Sequence, residues 1–254
     1  MIYGKKEVIQ FKKLLISDYD NTLFTDEKTL LANVEEIKKF RAYGNLFAIS
    51  TSRGYSSIIN EIKKFNIPYD YISVNNGAGI FDNTGKKIFY NYMKDEKIKE
   101  IENILNDFKN VSITRYYIDN IKTQEKGEQI DIDNVKEVVS YKIKGEIEDL
   151  TKIKELVEKK LPEYIVSIKD NIKLFINNNE NNKEKATKDI INAINENLKI
   201  YTVGDDDVDY DMLRKYNGYR MQNSSKLLLE NIDNVTTSIS DLISKLLILE
   251  NNEF

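Results

Sequence analysis

Blocks of apolar and polar residues follow one another along the first third of the chain in a strand-and-helix order. Leu14-Leu15-Ile16 is a short apolar run that breaks off in Ser17-Asp18-Tyr19-Asp20-Asn21-Thr22. Leu30, Val34 and Ile37 then recur at helical spacing up to Arg41, and Gly44 stands where a helix stops. Leu46-Phe47-Ala48-Ile49 predicts a second buried strand, closing on Ser50-Thr51-Ser52-Arg53-Gly54. Residues 56–65 predict a helix with Ile58, Ile59 and Ile62 on one side. Residues 71–74 predict a third strand running into Asn75-Asn76-Gly77. This is the grammar of a parallel α/β sheet with right-handed crossovers and helices on both faces. Chemistry in such sheets gathers beyond the carboxyl ends of the strands, where each of these polar clusters falls.

From about residue 82 the pattern changes. Helical stretches over 95–108 and 148–160 alternate with strand-like ones over 111–117, 138–143, 164–168 and 173–176. They predict an antiparallel α+β insert with its own core. The Asn-rich run over 177–182 that closes it reads as a solvated loop. The α/β order then resumes with a helix from Lys183 to about Glu196 and the strand Ile200-Tyr201-Thr202-Val203. The turn Gly204-Asp205-Asp206-Asp207-Val208-Asp209 leads into residues 210–215. The expected division is a Rossmann-like core over 1–82 and 180–254, with an α+β cap domain over 83–179.

Composition narrows the chemistry. The 254 residues contain no His, Cys or Trp, which excludes Ser-His and Cys-His nucleophiles, thiolate or imidazole zinc sites and disulfides. What is left is carboxylates, Lys, Arg, hydroxyls, amides and metals held by oxygen, a set suited to magnesium-assisted phosphate chemistry. With 38 basic and 42 acidic side chains mixed along the chain, no basic tract points to nucleic acid. The first 13 residues lack a leader's apolar stretch, and the apolar segment 239–249 is broken by Asp241, Ser244 and Lys245. The expectation is a cytoplasmic protein without a membrane partner, a monomer or homodimer.

Two carboxylates as close as Asp18 and Asp20 repel each other unless a cation lies between them. Asp205 and Asp209 form a second acidic group behind a glycine at another strand end. Together they make a candidate oxygen site for a divalent ion. Thr51 and Lys183 are of the right kind to bond and neutralise phosphate oxygens. Taken singly, each has an ordinary explanation as an acidic turn, a helix cap or a surface lysine; their order on successive strand ends is the stronger signal.

That order resembles the haloacid dehalogenase superfamily of phosphatases, in particular the Cof-type branch with a large cap after the third strand. Asp18-Tyr19-Asp20-Asn21-Thr22 matches its Asp-x-Asp-x-Thr motif, and Ala48-Ile49-Ser50-Thr51-Ser52-Arg53 resembles the strand ending in Thr-Gly-Arg. Asn76-Gly77-Ala78, Lys183-Glu184-Lys185-Ala186 and Gly204-Asp205 with Asp209 and Met212-Leu213 resemble its later motifs, as does Met221-Gln222-Asn223-Ser224. Asn21, Ser52 and Glu184 replace glycines of the pattern, and Val208 replaces an asparagine.

The resemblance implies a phosphatase acting on a small phosphate ester, such as a sugar phosphate or a phosphorylated cofactor, through an aspartyl-phosphate. It makes Asp18 the nucleophile and Asp20 the acid and base. Magnesium falls to Asp18, Asp20 (through its carbonyl), Asp205 and Asp209. Thr51, Ser52 and Lys183 take the phosphate, with Lys185 as the alternative lysine. Arg53 and Asn76 are candidate contacts to the leaving group; Arg53 is equally read as a helix-start charge paired to a carboxylate. Arg115 and Lys142, on strands of the insert, are candidates to meet an anionic substrate, with the solvated reading preferred. A phospho-receiver is disfavoured because the third strand ends in Asn75-Asn76 rather than Asp. A phosphomutase would carry its cap elsewhere. A ligand-binding member without turnover is the alternative that Val208 and Glu184 raise.

Overall fold

The structure is a computed structural model describing residues 11–129 and 131–251, with side chains described to residue 248. The first ten residues, most of the stretch read for a leader, lie outside the described residues. In chain order the elements begin β1 (Lys13–Ser17), α1 (Glu27–Ala42), β2 (Leu46–Ser50), α2 (Tyr55–Phe65), β3 (Tyr71–Val74), β4 (Gly79–Asp82) and β5 (Lys87–Tyr90). They continue α3 (Asp95–Asn106), β6 (Ser112–Tyr116), β7 (Ile121–Gln124), β8 (Ser140–Lys144), α4 (Ile147–Lys160), β9 (Tyr164–Lys169) and β10 (Lys173–Asn178). Last come α5 (Lys183–Ile194), β11 (Lys199–Gly204), α6 (Tyr210–Lys215), β12 (Gly218–Met221), α7 (Lys226–Asn231), β13 (Val235–Thr236) and α8 (Ile239–Asn251). They form two compact units, one of Met1–Ser50, Phe65–Ile72 and Thr187–Phe254, the other of Thr51–Lys64 and Ser73–Ala186.

The first unit is an α/β layer. Its strands lie in the order β13-β12-β11-β1-β2, and every pairing among them is parallel. All five residues of β1 are buried, as a central parallel strand requires, so its apolar run needs no alternation. Ser17 is level with Val203 of β11, which brings two chain-distant strand ends side by side. Helix α1 starts at Asp26, whose side chain accepts the Thr29 N–H, and carries Lys39 and Arg41 in its last turn, in keeping with its dipole. It stops as expected, with the N–H groups of Tyr43 and Gly44 returned to Lys39 and Arg41. Its buried side, Leu30, Val34, Ile37 and Phe40, packs the same layer as α8, which buries Ile239, Leu242, Ile243 and Leu246. The interrupted apolar segment near the C-terminus is therefore an amphipathic helix.

The second unit holds an antiparallel sheet in the order β7-β6-β8-β10-β9, the insert expected from the sequence. Ile98, Ile101 and Leu105 of α3 and Leu150, Ile153 and Val157 of α4 share a core with Tyr141, Ile143, Leu174 and Ile176 of the sheet. The Asn-rich run is a solvated turn only at Asn179 and Glu180. Asn177 and Asn178 end β10, Asn181 accepts from the Asn91 side chain and donates to the Asn91 carbonyl, and the Asn182 side chain accepts the Lys185 N–H at the start of α5. Arg115 is not solvated: it is buried in a two-pronged ion pair with Glu102, both contacts 2.6 Å, and also bonds Gln124. Lys142 lies over the Tyr116 ring.

The loops after β2 and β3 also belong to this unit. The tip between β6 and β7 offers three consecutive carbonyls, Tyr117, Ile118 and Asp119, to the Asn75 side chain, the Tyr55 N–H and the Ser56 hydroxyl.

Candidate functional site

Asp18 follows β1 and keeps its register, its N–H bonded to the Val203 carbonyl of β11 at 2.9 Å. The chain then leaves the sheet in a tight turn. Leu23 N–H returns to the Asp18 carbonyl at 3.2 Å and Phe24 N–H to that of Tyr19 at 2.8 Å. Asn21 sits at φ 58°, a left-handed conformation that asparagine tolerates, which explains how it stands where the motif has glycine. Tyr19 and Leu23 are fully buried and anchor the turn from within. Asp20 is half-buried and pairs its backbone with Phe24.

The second acidic segment begins where β11 ends. Gly204 is required by close approach: a Cβ there would lie 2.4 Å from Cγ of Asp209. Asp209 is fully buried, and one carboxylate oxygen accepts the N–H groups of Asp205 and Asp206 at 3.1 and 3.2 Å. Asp206 caps the short 3-10 turn Asp207–Asp209 reciprocally. Farther along, Ser225 supports the same loop, its N–H on the Asp205 carbonyl and its hydroxyl on Asp207.

These two segments meet. Asp18, Asp205 and Asp209 each offer a carboxylate oxygen, and the three atoms lie within 4.8 Å of one another. Asp18 and Asp209 are buried and Asp205 half-buried. Three carboxylates so close and so sheltered repel one another, and a hard divalent cation with oxygen ligands is the group that offsets the repulsion. The donors present therefore fit such an ion. Asp20 contributes no carboxylate to the cluster. Thr22, quoted in the motif but not singled out as a site residue, joins the site: its buried hydroxyl donates to Asp205 at 2.9 Å. Its place in Asp-x-Asp-x-Thr was the signal for it. Val208 is 51 % exposed and outside the acidic trio, so replacing asparagine there removes none of these three carboxylates.

A family model described as haloacid dehalogenase-like hydrolase matches residues 15–242. The chain belongs to that family. Its insert after the third strand is the arrangement of the Cof-type branch. An uncharacterised protein of Mycoplasma capricolum is 36 % identical over 93 residues, 34 % of each chain, so the match spans about a third of that relative. A solved structure from Thermotoga maritima superposes with a TM-score of 0.79 at 18 % identity, over 92 % of this chain and 97 % of that one. The structure of the subclass IIB sugar phosphatase BT4131 superposes with a TM-score of 0.70 at 19 % identity, over 94 % and 99 %. At such identities the likeness is one of fold.

In this haloacid dehalogenase-like hydrolase the remaining candidate residues belong to the second unit. Thr51 is buried; its N–H bonds the Ser73 carbonyl, its own carbonyl accepts the Asn76 N–H, and its hydroxyl accepts that of the Arg53 backbone. Ser52 is exposed and Arg53 half-buried. Gly77, at φ 103°, lets the Asn75–Gly77 turn pack on the start of α5, where a Cβ would meet the Asn182 carbonyl at 2.7 Å. Lys183 is 2 % exposed, whereas Lys185 points outward and pairs with Glu180 at 3.5 Å.

Proposed function

We propose that this chain is a magnesium-dependent phosphatase of small phosphorylated metabolites that works through an aspartyl-phosphate on Asp18. The observation that carries this reading is the acidic trio of Asp18, Asp205 and Asp209 at adjacent ends of parallel strands. Magnesium would be held by these three carboxylates and by the Asp20 carbonyl. When bound it supplies positive charge that offsets nucleophile and phosphate together.

The remaining roles belong to the chain's own groups. Asp18 attacks phosphorus in line, forming an acyl-phosphate bond as the bond to the leaving oxygen breaks. Asp20 protonates that oxygen and then takes a proton from the water that cleaves the intermediate. Thr51, Ser52 and Lys183 orient and neutralise the phosphoryl oxygens, the positioning on which such a transfer depends. Arg53 and Asn76 are assigned to the leaving group, and the insert over 83–179 to its selection. The sugar phosphatase BT4131, which shares the fold, supports a sugar phosphate as the first substrate class to try. A cytoplasmic location and action on a free metabolite accord with this reading.

Phosphate release from p-nitrophenyl phosphate, sugar phosphates, nucleotides and pyridoxal phosphate tests it, with magnesium and with EDTA. Turnover that requires magnesium and disappears in Asp18→Asn is the expected result. Folded, magnesium-binding protein inert on every ester would move the chain to a ligand-binding member without turnover.

A further inference from the structure

We propose that Asn33 is a positioning residue of the aspartate loop, its side-chain amide fixing the Leu23 peptide and thereby the Thr22 hydroxyl on Asp205. The proposal rests on the phosphatase reading of that loop. Asn33 lies in the middle of α1, where asparagine is a poor helix former, and is fully buried. Such a residue costs stability unless both ends of its amide are satisfied. They are. Its Nδ2 donates to the Leu23 carbonyl at 2.9 Å, and its Oδ1 accepts the Ser240 N–H, also at 2.9 Å. Ser240 lies in the first turn of α8, whose leading N–H groups have no partner within their own helix.

Leu23 is the residue through which this anchor reaches the site. Its N–H is bonded to the Asp18 carbonyl, and the residue before it donates the 2.9 Å hydroxyl bond to Asp205. A continuous line of hydrogen bonds thus runs from the start of α8 through Asn33 to the turn that carries two of the proposed catalytic groups. Neither neighbour in side-chain size does both tasks. Leucine offers neither donor nor acceptor, and an ionised aspartate would set an oxygen against the Leu23 carbonyl.

The test compares Asn33→Leu, Asn33→Ser, Thr22→Val, the Asn33→Leu/Thr22→Val pair, and Phe40→Leu as a control in the buried face of the same helix. Kinetics on p-nitrophenyl phosphate with magnesium are read beside amide hydrogen exchange over residues 19–24 and the melting temperature. The expected result is a kcat about tenfold lower in Asn33→Leu with KM nearly unchanged, the loss that slight misplacement of a reacting group produces. Exchange at Leu23 and Phe24 should quicken in both Asn33 variants and not in Phe40→Leu. The pair should be no slower than Thr22→Val alone, since both act through one contact.

A purely structural asparagine would lower the melting temperature, leave kcat at the control's level and combine multiplicatively with Thr22→Val; that result overturns the proposal. So does unchanged exchange in whichever Asn33 variant folds. Wild-type protein inert on all esters contradicts the phosphatase reading instead, and the exchange comparison then still decides whether Asn33 holds the turn.

Discussion

Gly204 and Asp209 are bound to each other by space rather than by a bond, because the carboxylate occupies the volume any side chain at 204 would need. Gly204→Ala should therefore push Asp209 out of place, lowering unfolding free energy by about 1–3 kcal/mol and weakening magnesium binding measured by calorimetry. Asp209 has two tasks that substitution can separate. Asp209→Asn keeps an acceptor for the Asp205 and Asp206 N–H groups, so it should melt near wild type while binding magnesium less tightly. Asp209→Ala leaves both donors unsatisfied and should also lose about 1–3 kcal/mol of stability. At this scale the sequence told which carboxylates to watch, since their place at strand ends follows from local pattern. It left Lys183 and Lys185, two lysines at one helix start, as alternatives; the structure buries the first and pairs the second with Glu180. Nor did it mark Asn33, whose partners at Leu23 and Ser240 lie ten and 207 residues away.

Elements with a buried face were legible, and those exposed on both faces were not. The helices α1, α3 and α4 and the strand β10 carry clear apolar periods, and the buried strands β1 and β2 are unbroken apolar runs. β5 and β7 are almost wholly exposed, so their residues leave no alternation to read. The ion pair between Arg115 of β6 and Glu102 of α3 was equally hidden, because a helix-to-strand partnership has no characteristic spacing. Their side chains are 4 % and 1 % exposed, so removing one partner strands a buried charge. Glu102→Gln should cost roughly 3–5 kcal/mol in thermal or urea unfolding, whereas joint replacement of both by apolar residues should cost far less.

Two phenols of this unit make its stability depend on alkaline pH. Burial pushes Tyr141 well above its ordinary value of 10.0, with the Glu102 carboxylate adding to it, and pushes Tyr164 up to about 12. A group whose folded value is raised contributes stability below its unfolded value and loses it as pH climbs toward the folded one. Unfolding free energy should thus decline from about pH 10 to pH 12, and Tyr164→Phe should flatten that decline.

For the whole molecule, the α/β order interrupted by an α+β insert was visible from the succession of apolar periods alone. The adjacency that makes a site was not: Thr22 and Asp205 are 183 residues apart, and only the parallel pairing of β1 with β11 brings them together. Family resemblance supplied that step in the sequence, and the register supplies it in the structure. No helix among the described residues is long and apolar enough to cross a membrane.

The most direct test is acid-quenched single turnover with a radiolabelled phosphate ester, followed by peptide mapping. The expected result is one acid-stable, base-labile phosphoryl group on the peptide carrying Asp18. Label on any other residue, or none at all while phosphate is released, would contradict Asp18 as the nucleophile.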